Sequence, residues 1–200
     1  MGRRGRPLGV VLAGGEGRRL GGGKAVVALD GRPLLAYPLA ALREALTDVA
    51  VVAKRSTALP PLDAGVAIWL EPDEPRHPMA GVVRALREAR GRPVVVVAVD
   101  MPLVDAGLLR RIAAAPARGG ALAVVPRAGG RLQPLCARYE PEALAVLAGF
   151  DPADRATDLA ARLAPAVLEC ADEDAFVNVN APEDVLRASA LLHARTARGR

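Results

Sequence analysis

Residues 93–99 read Pro-Val-Val-Val-Val-Ala-Val and end on Asp100. A β-branched run with no polar side chain lacks the alternation of a strand with one wet face. It fits a central parallel strand covered on both sides. Parallel neighbours need crossover connections, usually helical, so this run commits the chain to βαβ units. The rest of the sequence alternates accordingly. Further strands are expected at about 8–13, 48–53, 66–70, 121–126, Leu135 to Tyr139, and 166–169. Helices are expected at about 34–46, 79–90, 105–115 and 141–148, and after Pro182, where Glu183 and Asp184 favour a helix start. Asp105 is placed to cap the third of these helices. Val26 to Pro33 reads as a short turn around Asp30-Gly31, and 55–65, with Pro60-Pro61, as a surface loop. The expected fold is a single-domain, doubly wound, Rossmann-like α/β domain with a mostly parallel sheet flanked by helices.

Two hundred residues suit one such domain with a substantial core. Cys136 and Cys170 are the only cysteines, and His77 and His193 stand apart from them. That distribution points to a reducing cytoplasm and away from a zinc site or a disulfide framework. No apolar run reaches the length of a membrane span. The net charge of +5 could serve nucleic acid, but aromatics make up only 2% and the arginines are scattered. An anionic small molecule explains the charge as well. Part of the excess lies at Arg3, Arg4, Arg6, Arg195, Arg198 and Arg200, expected to be frayed ends. Against 25 arginines there are only two lysines (Lys24, Lys54), two asparagines (Asn178, Asn180) and one glutamine (Gln133).

The chemistry concentrates after the first strand. Residues 14–24 hold six glycines, two arginines and a lysine. Glycine lets backbone approach a ligand closely, and fixed positive charge completes a phosphate cradle. A Walker loop fails here, because Arg18 stands at its first glycine position and Ala25 follows Lys24. The dinucleotide pattern fails at Leu20, where its third glycine should be. Asp100 is the second anchor. In open α/β sheets ligands bind beyond the carboxyl ends of strands, so Asp100 would share a crevice with this loop. A carboxylate there can hold Mg²⁺ together with substrate phosphates.

What remains of the loop, Leu12-Ala13-Gly14-Gly15 with Arg19-Leu20-Gly21 and Lys24, resembles the signature of nucleotidyltransferases, and more narrowly of the molybdenum cofactor guanylyltransferases. Asp100-Met101-Pro102 resembles that family's magnesium-binding segment. Asp73 with Pro78-Met79-Ala80-Gly81 resembles the segment lining its nucleotide pocket. Gln133-Pro134-Leu135 with Tyr139, and Phe176-Val177-Asn178-Val179-Asn180-Ala181-Pro182-Glu183-Asp184, resemble two further family segments. Alone, Gln133 could brace a loop and Asn180 could cap a helix. Together, in order from residue 12 to 184, the segments are specific.

The resemblance implies a fold of the nucleotide-diphospho-sugar transferase type. The nucleotide half would span about 8–125 and the acceptor half about 126–195 of a single domain, 1–200. Catalysis would fall to Arg19, Lys24 and Asp100. Nucleotide contacts would come from Leu12, Ala13, Gly14, Gly15, Lys24, Lys54, Asp73, Gly81 and Asp100, and acceptor contacts from Gln133, Asn178 and Asn180. Asp100 would ligate Mg²⁺, the implied cofactor. The implied partners are GTP, molybdopterin carrying molybdenum, and a molybdoenzyme or its chaperone, bound by a cytoplasmic monomer or weak homo-oligomer.

Three departures stand out. Gly23 replaces the usual aspartate before the loop lysine, Lys54 the usual asparagine near the base, and His77 the usual glycine before Pro78. They leave CTP as donor, a sugar phosphate as acceptor, and a nucleotide-binding module without catalysis as alternatives.

Overall fold

A computed structural model describes residues 5–15, 17–20 and 22–198, without the side chains of Arg18 and Arg198. Arg3, Arg4 and Arg200 therefore lie outside the described residues, as do Glu16 and Gly21 of the loop. The chain opens with β1 (Leu8–Leu12), buried throughout. A glycine-rich stretch then leads through single 3₁₀ turns at Arg18–Leu20 and Lys24–Val26. The hairpin β2 (Ala28–Leu29) and β3 (Arg32–Pro33) turns on Asp30 and Gly31, both at positive φ as a tight two-residue hairpin loop demands. Sequence reasoning had this stretch as a turn without strands.

Next come α1 (Ala36–Ala45), β4 (Val49–Lys54), β5 (Ala67–Glu71), α2 (Pro78–Glu88), β6 (Val94–Ala98) and α3 (Ala106–Ala114). Asp105 caps α3 by accepting from the Leu108 N–H at 2.7 Å. The second half holds β7 (Ala123–Ala128), β8 (Arg131–Leu132), β9 (Cys136–Tyr139), α4 (Ala143–Leu147), α5 (Ala156–Ala161), β10 (Ala166–Glu169) and α6 (Pro182–Arg198). The main sheet runs β10-β7-β9-β6-β1-β4-β5, with β8 on β7. Only β9 and β8 run antiparallel to their partners. This is the mostly parallel, doubly wound α/β sheet expected from the sequence.

The valine run of β6 pairs with β1 on one side and β9 on the other, and all five of its residues are buried. Alternation along β1 sends Leu8, Val10 and Leu12 to the core under α2, and Val11 and Ala13 to the core under α1 and α3. Gly9 sits where α1 presses closest, since a Cβ there would lie 2.9 Å from Leu42. A third, smaller core joins the hairpin to α6 through Leu29, Leu34, Val179 and Ala188. The C-terminal arginines are not uniformly frayed. Arg195 lies within α6 and donates to the Leu103 carbonyl and to Asp172. The Arg6 carbonyl accepts from Arg92. The Arg195 charge thus has a tertiary partner that local sequence does not disclose, and the backbone at Arg6 is tied to Arg92. Among the described residues, no helix is long and apolar enough to cross a membrane.

Candidate active site

The carboxyl ends of β1, β4 and β6 open on one cavity of about 340 Å³, within the ~300–1,000 Å³ usual for small-molecule sites. Backbone ties bring these ends together. The Ala13 N–H donates to the Val52 carbonyl and the Val99 N–H to that of Leu12. Leu12, Gly14, Gly15, Lys24, Lys54, Gly81 and Asp100 line the cavity. Among the other expected nucleotide and catalytic residues, Ala13 is fully buried in the core, Arg19 is exposed and outside the lining, and Asp73 also lies outside it. Asp73 accepts from the Ser56 N–H and hydroxyl, and these bonds hold its carboxyl below the usual range.

Lys24 is the centre of the phosphate-loop side. Gly17, at φ 59°, folds the loop back, and a Cβ on it would fall 2.8 Å from Lys24 Cγ and 2.9 Å from its backbone nitrogen. Only glycine serves there. Gly23, at φ 51°, turns the chain into the 3₁₀ turn that Lys24 begins. The Lys24 ammonium then reaches Asp100 Oδ2 and Asn180 Oδ1, each at 2.6 Å. Asp100 lies two residues beyond the end of β6, and its backbone carbonyl accepts from the Val179 N–H at 2.8 Å. Asp184 Oδ2 accepts from the backbone N–H of both Asn180 and Ala181. Asn180 is therefore held by a cap rather than acting as one. Asp100 Oδ1 is buried and has no hydrogen-bond partner among the described residues.

A second ion pair was not foreseen. Glu71 ends β5 in register with Lys54 at the end of β4, and the two side chains meet at 3.4 Å, both nearly out of solvent. Lys54 also donates to the carbonyls of Pro72 and Pro75. Burial pushes the Glu71 carboxyl above its ordinary pKa, and the Lys54 and Arg84 charges pull it part of the way back. Its Oε2 is buried without a partner. Arg76, His77 and Leu135 are also in the lining. No motif marks Glu71. The available signal was an acidic residue at the carboxyl end of an expected strand.

His77 caps α2 through Nδ1, which accepts from the Met79 N–H, while Nε2 meets the Asp154 carbonyl at 2.9 Å. Of the expected acceptor residues, only Asn180 meets the Lys24 cluster. Gln133 donates to the Arg131 carbonyl at 3.5 Å, bracing its own turn, and Asn178 donates to the Phe176 carbonyl.

A glycine-rich loop, a strand-end aspartate and a cavity between them lie together on this sheet order, the arrangement that the nucleotidyltransferase resemblance implies. Residues 9–167 match the model of the MobA-like NTP transferase domain, and the chain belongs to that family. It is 38% identical to a molybdenum cofactor guanylyltransferase of Cereibacter sphaeroides over 94% of this chain and 97% of the relative. A molybdopterin-guanine dinucleotide biosynthesis protein A from Archaeoglobus fulgidus shares the fold, with a TM-score of 0.73 at 24% identity, over 94% of this chain and 99% of that one. A 2-C-methyl-D-erythritol 4-phosphate cytidylyltransferase from Thermus thermophilus superposes with a TM-score of 0.67 at 27% identity, over 92% of this chain and 98% of that one.

Proposed function

We propose that this protein transfers GMP from GTP to the terminal phosphate of molybdopterin carrying molybdenum, with Mg²⁺ as cofactor. The acceptor phosphate oxygen attacks the α-phosphorus of GTP, the bond to the bridging oxygen breaks, and pyrophosphate leaves. The observation that carries this reading is the cluster of Lys24, Asp100 and Asn180 at the end of the phosphate loop. Nucleotidyl transfer asks little covalent chemistry of a protein; positioning and charge stabilisation dominate.

The oxygen donors fit a hard divalent cation. Asp100 Oδ1 is buried and unpartnered, and a cation, the Lys24 ammonium, already rests against Asp100 Oδ2 and Asn180 Oδ1. Asp100 and Asn180 would hold Mg²⁺, which when bound neutralises charge on the phosphates. Lys24 would leave these oxygens for the triphosphate, a role suited to a compact point charge on a flexible stem. Gly14 and Gly15 give the phosphates close access to backbone. The acceptor would enter beside Asn178 and Asn180, both exposed.

Glu71 supports guanine as the base. Guanine offers two adjacent N–H donors on one edge, which an ionised carboxylate accepts together. Adenine and cytosine place a ring acceptor beside their amino group, and uracil offers one N–H between two carbonyls. A buried acceptor left unpaired by the wrong base costs about 1–3 kcal/mol.

The test is pyrophosphate release from GTP, CTP, ATP and UTP with the molybdenum-loaded pterin as acceptor. GTP alone is expected to turn over, and turnover of CTP in its place would overturn the donor. Asp100→Ala is expected to abolish measurable turnover. Full activity of that variant would remove Asp100 from the mechanism.

A further inference from the structure

The family's usual asparagine near the base is a lysine here, and Lys54 looks at first like an extra base contact. Its geometry says otherwise. An ammonium has three protons. Those of Lys54 are taken by Pro72 O at 3.0 Å, Pro75 O at 3.2 Å and the Glu71 carboxylate at 3.4 Å. The side chain is 8% exposed. Glu71 presents the opposite picture, since Oε1 faces Lys54 while Oε2 is buried with nothing to accept. Two glycines flank it. A Cβ on Gly14 would lie 3.0 Å from Oε1, and one on Gly81 would lie 3.9 Å from Oε2. The carboxylate thus lines the cavity beside two glycines, and at Gly14 a side chain would crowd it.

We propose that Lys54 is a positioning residue for base choice, one that does not touch the nucleotide but keeps the Glu71 carboxylate ionised and aimed into the cavity. This rests on the reading that the base lies against Glu71. A lone carboxylate buried this deeply would take up a proton. A protonated Glu71 offers a donor where guanine also offers donors, and selection fails. The other charged group acting on Glu71 is Arg84 of α2, while Arg76 and His77 line the same cavity. Arg84 also binds Glu88 at 2.8 Å, so Lys54 is the cation committed to Glu71. Lys54 adds a second constraint by fastening the Pro72–Pro75 segment, which leads into α2, to the end of β4.

The sign of the pH dependence follows. The base binds the ionised form, so affinity is present above the Glu71 pKa and lost as pH falls through it. Lys54 lowers that pKa, and Lys54→Met raises it. The experiment measures GDP, ADP and CDP binding by calorimetry between pH 5.5 and 8.5. The wild type is expected to bind GDP with a flatter pH profile than Lys54→Met across this range. Lys54→Met is expected to lose affinity by about tenfold per pH unit below the raised pKa, and to recover it at high pH. Lys54→Arg, which keeps the charge, is expected to restore the flatter profile.

Unchanged GDP binding in Lys54→Met, or a loss equal at every pH and for all three nucleotides, would overturn the proposal. Should the methionine variant fail to fold, NMR of the wild type still decides. The Glu71 carboxyl carbon should titrate lower with GDP bound, while the Lys54 Nζ resonance stays near its free position. A large Lys54 shift on GDP binding would make it a direct contact and sink the idea. A Glu71→Gln variant that keeps its preference for GDP would instead overturn the base reading, leaving nucleotidyl transfer at Asp100 standing.

Discussion

The chain's only two lysines line one cavity, and each meets a carboxylate, yet the two pairs differ in burial and in what holds them. Lys24 and Asp100 are 13% and 17% exposed, on segments 76 residues apart, with Asn180 as a third partner from the far end of the chain. Lys54 and Glu71 are 8% and 6% exposed and stand opposite each other on adjacent strands. The first ammonium rides on a loop of glycines and reaches side chains from two distant segments. The second is locked between strand ends and proline carbonyls. An ion pair beside water can exchange its cation, whereas breaking a buried one strands a charge. In the proposed mechanism the first pair moves charge during the reaction and the second holds a fixed charge for recognition.

The largest effect that would sharpen this contrast is expected from Lys24→Met. Steady-state kinetics should show kcat reduced by about 10²–10³, the scale for one preorganised electrostatic donor. The preference for GTP over CTP should survive, and losing it would merge the two sites into one. Next comes Glu71→Gln, which should act on recognition. Its kcat/KM for GTP should drop by about 10- to 100-fold, the scale of a mispaired buried polar group, with kcat nearly intact at saturation. A fall in kcat as large as that of Lys24→Met would break the comparison. The smallest effect is expected from Asp184→Ala, which frees the Asn180 backbone without touching either lysine. Loss of this cap should lower stability by about 1 kcal/mol in denaturant unfolding. Turnover should fall less than tenfold, and unchanged stability would remove Asp184 as the clamp on Asn180.

Much of the fold was legible because burial leaves a periodic trace. The valine run of β6, the apolar β1 and the amphipathic α2 announce themselves within single segments, and Asp105 caps where its spacing says. The short elements did not. The helix α5 covers six residues and has no side-chain cap, so nothing local separates it from a loop. The hairpin of β2 and β3 is two residues deep and gains its partners from α6. In the site, the glycine loop, Lys24 and Asp100 stood out because their residue types and spacing resemble the nucleotidyltransferase signature, and the structure brings Gly14, Gly15, Lys24 and Asp100 to one cavity. Glu71 was not readable, because a glutamate at a strand end has no motif.

By itself, then, the sequence determined the alternation of strands and helices, the family, and most of the residues that meet at the cavity. These follow from periodicity and from local chemistry, which neighbouring residues encode. Tertiary structure alone decided the pairings. Lys24 meets Asn180 across 156 residues, and the register of β4 on β5 sets Lys54 against Glu71. Partnership of that kind depends on which strand ends the sheet order brings together and how far each side chain is withdrawn from water. Those are properties of the packed chain, and no segment carries them alone.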